Sequence, residues 1–373
     1  MITETKLQKK IHCLDLRQQH QKIKKEIFQA FEKVYEVTAF SSGQFVEEFE
    51  KNFAAFCKTN YAVGVNNGTS ALHLAMLALD IGAGDEVIIP ANTFIATAWS
   101  VSYTGAIPVF ADCTDDTWEI DVARIEEKIT SKTKAIMGVH LYGQPFDIDQ
   151  IRAICKKHDL FLVEDAAQAQ GALYNGVPVG SFGEMACFSF YPGKNLGACG
   201  EAGAITTNNE LYNKRLMSLR NHGSTVRYYH DEIGFNMRMS GLEAASLNIK
   251  LNYLEEWNNR RREIAKMYQA RIKNSKIKMQ SQADWSSSIY HLFVITTEKR
   301  DELNKYLNSH DIFPGLHYPV PCHLQKAYAH LGYKKGDCPN AEYLAEHCLS
   351  LPMYAELEDE DVNYVIDVLN NYA

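Results

Sequence analysis

From residue 60 to residue 210 this chain alternates short apolar runs with longer stretches of helical periodicity, and few architectures accommodate that alternation. Runs with no polar face must be buried on both sides, which calls for a mostly parallel sheet whose strands are joined by crossover helices. Seven strands are expected: YAVGV at 61–65, EVIIP at 86–90, IPVFA at 107–111, AIMGVHL at 135–141, LFLVE at 160–164, MACFSF at 185–190 and GAITT at 203–207. Helices fit between them at Ser70 to Leu79, Thr93 to Tyr103, Ile120 to Ile129 and Asp147 to His158, the last with Ile148, Ile151 and Cys155 on one face. The fold class is therefore α/β, with residues 1–250 as a large domain.

Residues 242–272, LEAASLNIKLNYLEEWNNRRREIAKMYQARI, read as one long helix linking that domain to a second. Leu247, Leu251 and Leu254 keep helical spacing, with Ile249, Tyr253 and Trp257 on an adjoining stripe. Arg260, Arg261 and Arg262 form a cationic run, but Glu256 one turn before Arg260 points to a solvated, ion-paired surface rather than a phosphate patch. Further on, a strand at 291–297 and helices at Arg300 to Asn308, Asn340 to Ser350 and Asp359 to Asn370 make residues 251–373 a smaller α+β domain.

Composition excludes several classes of function. Acidic residues outnumber basic ones by 46 to 38, and no basic cluster is interleaved with aromatics, which argues against a nucleic-acid partner. The opening residues are too polar for a signal peptide, and no apolar run nears the ~18 residues of a membrane span, so no membrane partner is expected and the expected location is cytoplasmic. Nine cysteines without a Cys-x-x-Cys pair read as buried free thiols. His317 and His323 share a proline-bracketed loop with no partner at metal-ligating spacing, so no metal is expected.

Chemistry enters at three places. The strand LFLV runs into Glu164 and Asp165, which puts an acid at the carboxyl end of a central strand, where open α/β sheets bind ligands; an Asp there can equally cap the next helix. NNGTSAL, residues 66–72, follows another strand and opens a helix. Its small residues let backbone N–H groups and the hydroxyls of Thr69 and Ser70 surround an anion, although Gly-Thr-Ser also makes an ordinary cap. FYPGKNLG, residues 190–197, sets Lys194 among apolar residues and glycines. Desolvation there favours a neutral amine that can condense with an aldehyde, whereas in an exposed Pro-Gly turn the lysine would have no such role. An anchored phosphate, a carboxylate for a ring nitrogen and an amine for an aldehyde are together what pyridoxal 5′-phosphate requires. No Gly-x-Gly-x-x-Gly lies between a strand and a helix, which argues against a nicotinamide dehydrogenase.

The same segments carry a resemblance. Through NNGTSAL, GDEVIIPANTFIATA, VHLYGQPFDID, VEDAAQAQGA, FSFYPGKNLGACGEAGAITT, LRNHG, IGFNMRMS and HYPVPCHLQ, in that order, the chain resembles the DegT/DnrJ/StrS sugar aminotransferases over nearly its whole length. These depend on pyridoxal phosphate and have the fold-type I, aspartate aminotransferase-like architecture. The resemblance implies Lys194 as the Schiff-base lysine and Asp165 as the acid facing the pyridine nitrogen. It implies Gln168 at the cofactor's ring hydroxyl, Phe94 stacked on the ring, and Gly68, Thr69 and Ser189 around the phosphate. Asn236 matches an asparagine that completes the phosphate site of a neighbouring subunit, so a homodimer with shared active sites is implied. Arg238 falls either at the amino donor's carboxylate or in an ion pair at the dimer interface.

Gly193, after Pro192, stands where many relatives have threonine. That form, with FYP, NLGACGEAGA and the loop HYPVPCH, resembles the branch that aminates carbon 3 of a dTDP-linked 3-keto-6-deoxyhexose. Tyr191, His317 and Tyr318 would then contact the sugar nucleotide, and L-glutamate would supply the nitrogen. The implied product is a dTDP-3-amino-3,6-dideoxyhexose, in the galactose configuration ahead of the glucose one, for lipopolysaccharide or S-layer glycan biosynthesis. A 4-keto sugar nucleotide aminotransferase of the same family and a non-catalytic pyridoxal-phosphate-binding regulator are the alternatives.

Overall fold

The computed structural model describes residues 10–373, so the polar opening residues 1–9 lie outside it. Seven strands, β1 (Tyr61–Val65), β2 (Glu86–Pro90), β3 (Ile107–Ala111), β4 (Thr133–Val139), β5 (Phe161–Asp165), β6 (Met185–Ser189) and β7 (Gly203–Thr207), form one sheet in the order β3-β2-β4-β5-β6-β7-β1. Neighbours pair parallel except at β7, which runs antiparallel to both β6 and β1. Each expected strand is present, and those at 61–65, 86–90, 107–111 and 203–207 keep their expected bounds.

Both faces of the sheet are covered because successive strand residues are apolar whichever way they point. Val63, Val87, Ile89, Ala135 and Met137 pack on one face with α3 (Gly68–Ala78) and α4 (Ile95–Ser102). Ala62, Ile88, Ile136 and Phe188 pack on the other with Phe49 and Phe53 of α2 (Gln44–Cys57) and with α5 (Ile148–His158). Ahead of these runs α1 (Arg17–Glu36), and α6 (Glu210–Leu219) follows β7. A second, antiparallel sheet of β8 (Lys278–Met279), β9 (Phe293–Thr296) and β10 (Cys348–Leu351) builds its own core. There Phe293, Ile295, Leu349 and Leu351 meet Leu303 and Leu307 of α9 (Arg300–Ser309) and Val362, Val365 and Ile366 of α11 (Asp359–Asn370).

Several expected elements differ. Residues 120–129 form two short 3-10 turns, Val122–Arg124 and Glu126–Lys128, instead of a helix; from 121 to 129 Ile125 alone is buried, too little to hold a helix on the sheet. Residues 242–272 are two helices, α7 (Gly241–Leu251) and α8 (Leu254–Arg271). Between them the N–H groups of Asn252 and Tyr253 bond back three residues, to Ile249 at 3.2 Å and Lys250 at 3.0 Å, which interrupts the α-helical ladder. The expected helix at 340–350 is α10 (Pro339–His347), after which the fully buried Cys348–Leu351 pairs with β9.

The arginine run is only partly a solvated surface. Arg260 pairs with Asp359 at 2.6 Å and Glu263 at 3.3 Å rather than with Glu256, and Arg262 pairs with Glu255 at 3.2 Å. Arg261 is buried, donating to the carbonyls of Tyr290, His291 and Met353 at 3.1, 3.1 and 3.0 Å, and its burial lowers it to about 10. All nine cysteines are free thiols; seven are buried, Cys13 is half-buried and Cys199 is exposed. Among the described residues no helix is long and apolar enough to cross a membrane, and no group of three or more His, Cys, Asp or Glu is placed to hold a metal ion.

Candidate active site

The carboxyl ends of the parallel strands open into a cleft of about 970 Å³. Asp165, the last residue of β5, points into it from a nearly closed position. Its Oδ2 accepts from Thr97 Oγ1 at 2.8 Å and its Oδ1 from the Ala167 N–H at 3.1 Å. Burial raises this carboxyl above its ordinary value, opposed first by the Thr97 bond and then by the Ala167 N–H and the charge of Lys194. Thr93 stands 2.8 Å behind Thr97, so with the Thr97 hydrogen spent on Asp165 the Thr93 hydroxyl donates onward to Thr97. Phe94 caps α4 one turn before Thr97; the residue is 49% exposed and lines the cleft.

β6 ends at Ser189 and the chain then turns through Tyr191 to Lys194, whose N–H donates to the Tyr191 carbonyl at 2.8 Å. Burial lowers Lys194 to about 8, while the charge of Asp165 holds it up. An amine at that value gives up its proton far more readily than an ordinary lysine, and the neutral form is the one that attacks a carbonyl. Tyr191 stands more than half exposed at the cleft wall.

At the far end, Asn67 Oδ1 caps α3 by accepting from Ser70 N at 2.8 Å. The first-turn N–H groups of Gly68 and Thr69 have no intrahelical acceptor and face a cleft that Ser189 also lines. A Cβ on Gly68 would lie 2.6 Å from the Ser189 Cβ, so only glycine lets helix and strand close to this distance. Positive dipole, free donors and a hydroxyl make an anion cradle.

The opposite wall comes from the second sheet and its loops. Gln168 Oε1 accepts from the Tyr142 N–H at 2.7 Å, and its Nε2 donates to Tyr318 Oη at 3.0 Å. Tyr142 Oη in turn donates to the His317 carbonyl at 2.6 Å. The Tyr318 ring lies 5.5 Å from that of Phe94. His317 Nδ1 is 2.8 Å from Ser350 Oγ, and burial together with Lys194 lowers this histidine to about 4.

Lys194, Asp165, Gln168, Gly68, Thr69, Phe94, Ser189, Tyr191, His317 and Tyr318 thus all line one cleft. Asn236 and Arg238 do not. Asn236 is exposed and bridges to Asn221 by its backbone; Arg238 donates to Asn221 Oδ1 at 2.7 Å, with its Nε buried and unpartnered. Sequence reasoning missed Thr97 and His291. Thr97 was legible as the residue one helical turn after Phe94, but nothing local marked His291, which enters the cleft just ahead of β9.

These residues fit pyridoxal phosphate. The buried Asp165 can hold a cationic ring nitrogen, the bared face of Phe94 a flat ring, the start of α3 one phosphate, and Lys194 an aldehyde. Sheet order, cleft position and this donor set define a fold-type I, pyridoxal-phosphate-dependent aminotransferase. The model of the DegT/DnrJ/EryC1/StrS aminotransferase family matches residues 21–370, and the chain belongs to that family. A dTDP-3-amino-3,6-dideoxy-alpha-D-galactopyranose transaminase of Aneurinibacillus thermoaerophilus is 46% identical over 97% of this chain and 99% of its own length. A pleiotropic regulatory protein of Geobacillus stearothermophilus is 41% identical over 97% and 98%. Among solved structures, S. venezuelae DesV in complex with a ketimine intermediate has a TM-score of 0.95 at 42% identity, covering 97% of this chain and 98% of its own. Structures 31% and 28% identical to this chain were solved with bound PMP and in a PLP form, and the cofactor of this chain is pyridoxal 5′-phosphate.

Proposed function

We propose that this protein transfers the amino group of L-glutamate to a dTDP-linked 3-keto-6-deoxyhexose, giving a dTDP-3-amino-3,6-dideoxyhexose of galactose configuration for a surface polysaccharide. The observation that carries the aminotransferase reading is that a desolvated amine, Lys194 at about 8, and a buried carboxylate, Asp165, line one cleft, each within reach of the other's charge. The choice of sugar is supported by the 46% identity, over nearly the whole chain, to the transaminase named for that product.

Pyridoxal phosphate supplies an aldehyde that takes up nitrogen and a ring that draws in electron density. Lys194 would hold that aldehyde, and its amine, when free, would take and return the proton at the reacting substrate carbon. Asp165, whose Oδ2 accepts from the Thr97 hydroxyl, would pair with the ring nitrogen and hold its proton in place. Gly68, Thr69 and Ser189 hold the phosphate, Phe94 the ring face and Gln168 the ring hydroxyl. Tyr191, His317 and Tyr318 contact the sugar nucleotide. Asn236 and Arg238 lie outside their own cleft, so their parts at the phosphate and at the glutamate carboxylate require a second subunit, and the working form is a homodimer.

The holoenzyme should be yellow and bleach when glutamate is added, and 3-keto sugar nucleotides should yield a 3-amino product identified by NMR. Amination of a 4-keto substrate instead moves the reading to the neighbouring branch. Absence of bleaching favours the second reading, a pyridoxal-phosphate-binding regulator, which the 41%-identical regulatory relative supports.

A further inference from the structure

His291 lines the lysine end of the cleft and has no part in the scheme above. The hydrogen bonds behind it decide which of its ring nitrogens carries hydrogen. Asn258 Nδ2 donates to the backbone carbonyl of Gln170 at 2.9 Å; a carbonyl only accepts, so Asn258 Oδ1 is left as the acceptor on the other side. Asn195 Nδ2 therefore donates to Asn258 Oδ1 at 2.8 Å and to the Ile289 carbonyl at 3.2 Å, leaving Asn195 Oδ1 to accept. The atom that faces Asn195 Oδ1, at 3.1 Å, is His291 Nδ1, and it must carry the hydrogen.

Both asparagines are buried, so water does not compete for these bonds. Gly171, at φ +93°, makes room for the relay, since a Cβ there would lie 2.7 Å from Asn258 Nδ2. Burial first, and then the charges of Lys194, Arg261 and His317, hold the His291 ring well below the ordinary histidine value. A neutral ring protonated at Nδ1 has its lone pair at Nε2, the nitrogen left for the cleft.

We propose that His291 is a specificity-determining residue: its Nε2, kept as a bare acceptor by the Asn258–Asn195 relay, takes a hydrogen bond from a hydroxyl of the amino-acceptor sugar on a carbon adjacent to the one that receives nitrogen. The identity of that hydroxyl rests on the sugar-aminotransferase reading; the tautomer does not. Lys194 must reach the reacting carbon, and its charge acts on both His291 and His317, so the neighbouring carbons are the part of the substrate presented to these rings. A ring that only accepts selects a hydroxyl over a hydrogen, because a deoxy substrate leaves the desolvated lone pair unpaired.

Nitrogen-15 NMR of the histidine-labelled holoenzyme reads the tautomer, with the His291 signals assigned by their loss in His291→Gln. The expected pattern is Nδ1–H with a bare Nε2, held as pH falls from about 8 to about 5, and loss of that preference in Asn195→Leu. An Nε2–H ring or an imidazolium in the wild type overturns the inference, whatever the protein catalyses. Selectivity is read with a dTDP-linked 3-keto-6-deoxyhexose and its 2-deoxy and 4-deoxy counterparts. The wild type is expected to favour one hydroxyl over its deoxy partner by about tenfold or more in kcat/KM, a preference that His291→Leu removes and His291→Gln partly restores. Equal loss on hydroxyl and deoxy substrates in His291→Leu overturns the hydroxyl assignment. A wild type that neither bleaches with glutamate nor aminates any of the three sugars fails the functional reading itself and takes the hydroxyl assignment with it, while the NMR result still decides the tautomer.

Discussion

The two walls of the cleft are held by different forces. On the sheet side, Asp165, Ser189 and Gly68 sit at or just past strand ends, where backbone register carries them to the same edge, and the turn after β6 adds Lys194. On the other side, His291, His317 and Tyr318 are placed by side-chain hydrogen bonds from residues distant in sequence: Asn195, Ser350, Gln168 and Tyr142. A register error would move every residue of the first wall, whereas the second can lose one contact at a time. The sheet wall should therefore tolerate no change at its reactive groups, and the opposite wall should respond in graded steps.

The sharpest break is Lys194→Ala. Transamination should fall by at least about 10⁴-fold, the upper end for a positioned acid–base group, while pyridoxal phosphate still binds noncovalently by spectrophotometric titration. Activity kept by that variant would remove the mechanism. Asp165→Asn should cost about 10²- to 10³-fold in kcat with a smaller loss of cofactor retention, because it removes an electrostatic partner and leaves the volume. Equal losses in both would assign Asp165 to cofactor anchoring alone.

Lys194 and Asp165 also set a pH dependence. Lys194 falls from the ordinary 10.5 to about 8, so it is protonated and unreactive below that pH and a free amine above it. The rate at which the cofactor-free protein recaptures pyridoxal phosphate should rise through pH 8 and level off, as followed by stopped-flow absorbance. In Asp165→Asn the midpoint should move lower, since the charge that favoured the ammonium is gone. Between about pH 8 and 10.5 the unfolded chain binds the proton that the folded chain has lost, so this group makes the cofactor-free fold more stable as pH rises across that window.

The smallest effect tests the graded wall. Tyr142→Phe deletes the donor to the His317 carbonyl and should cost about 0.5–1.5 kcal/mol, seen as a fewfold drop in kcat/KM for the sugar half of the reaction with the glutamate half less affected. A loss as large as that of Asp165→Asn would show that the two walls are not as unequal as their bonding suggests.

Legibility followed the same division. The strands, Asp165 just after LFLVE, Gly68 at the start of α3 and Lys194 in its apolar loop could be read from local sequence, because burial on both faces and helix capping write themselves into neighbouring residues. Arg261 could not: its neighbours in sequence suggest a solvated helix face, and only the second unit packed on α8 provides the three carbonyls that bury it. The break at Asn252 was likewise invisible to periodicity, since both flanking halves keep helical spacing.

The sequence by itself determined the parallel sheet, its covered faces and the three reactive positions, since each depends on patterns within a few residues of chain. Tertiary structure alone decided that Thr97 bonds Asp165, that His291 presents a lone pair, and that Asn236 and Arg238 do not line their own cleft. Those outcomes depend on hydrogen-bond direction and burial between segments far apart in the chain, and no local pattern of residues encodes either.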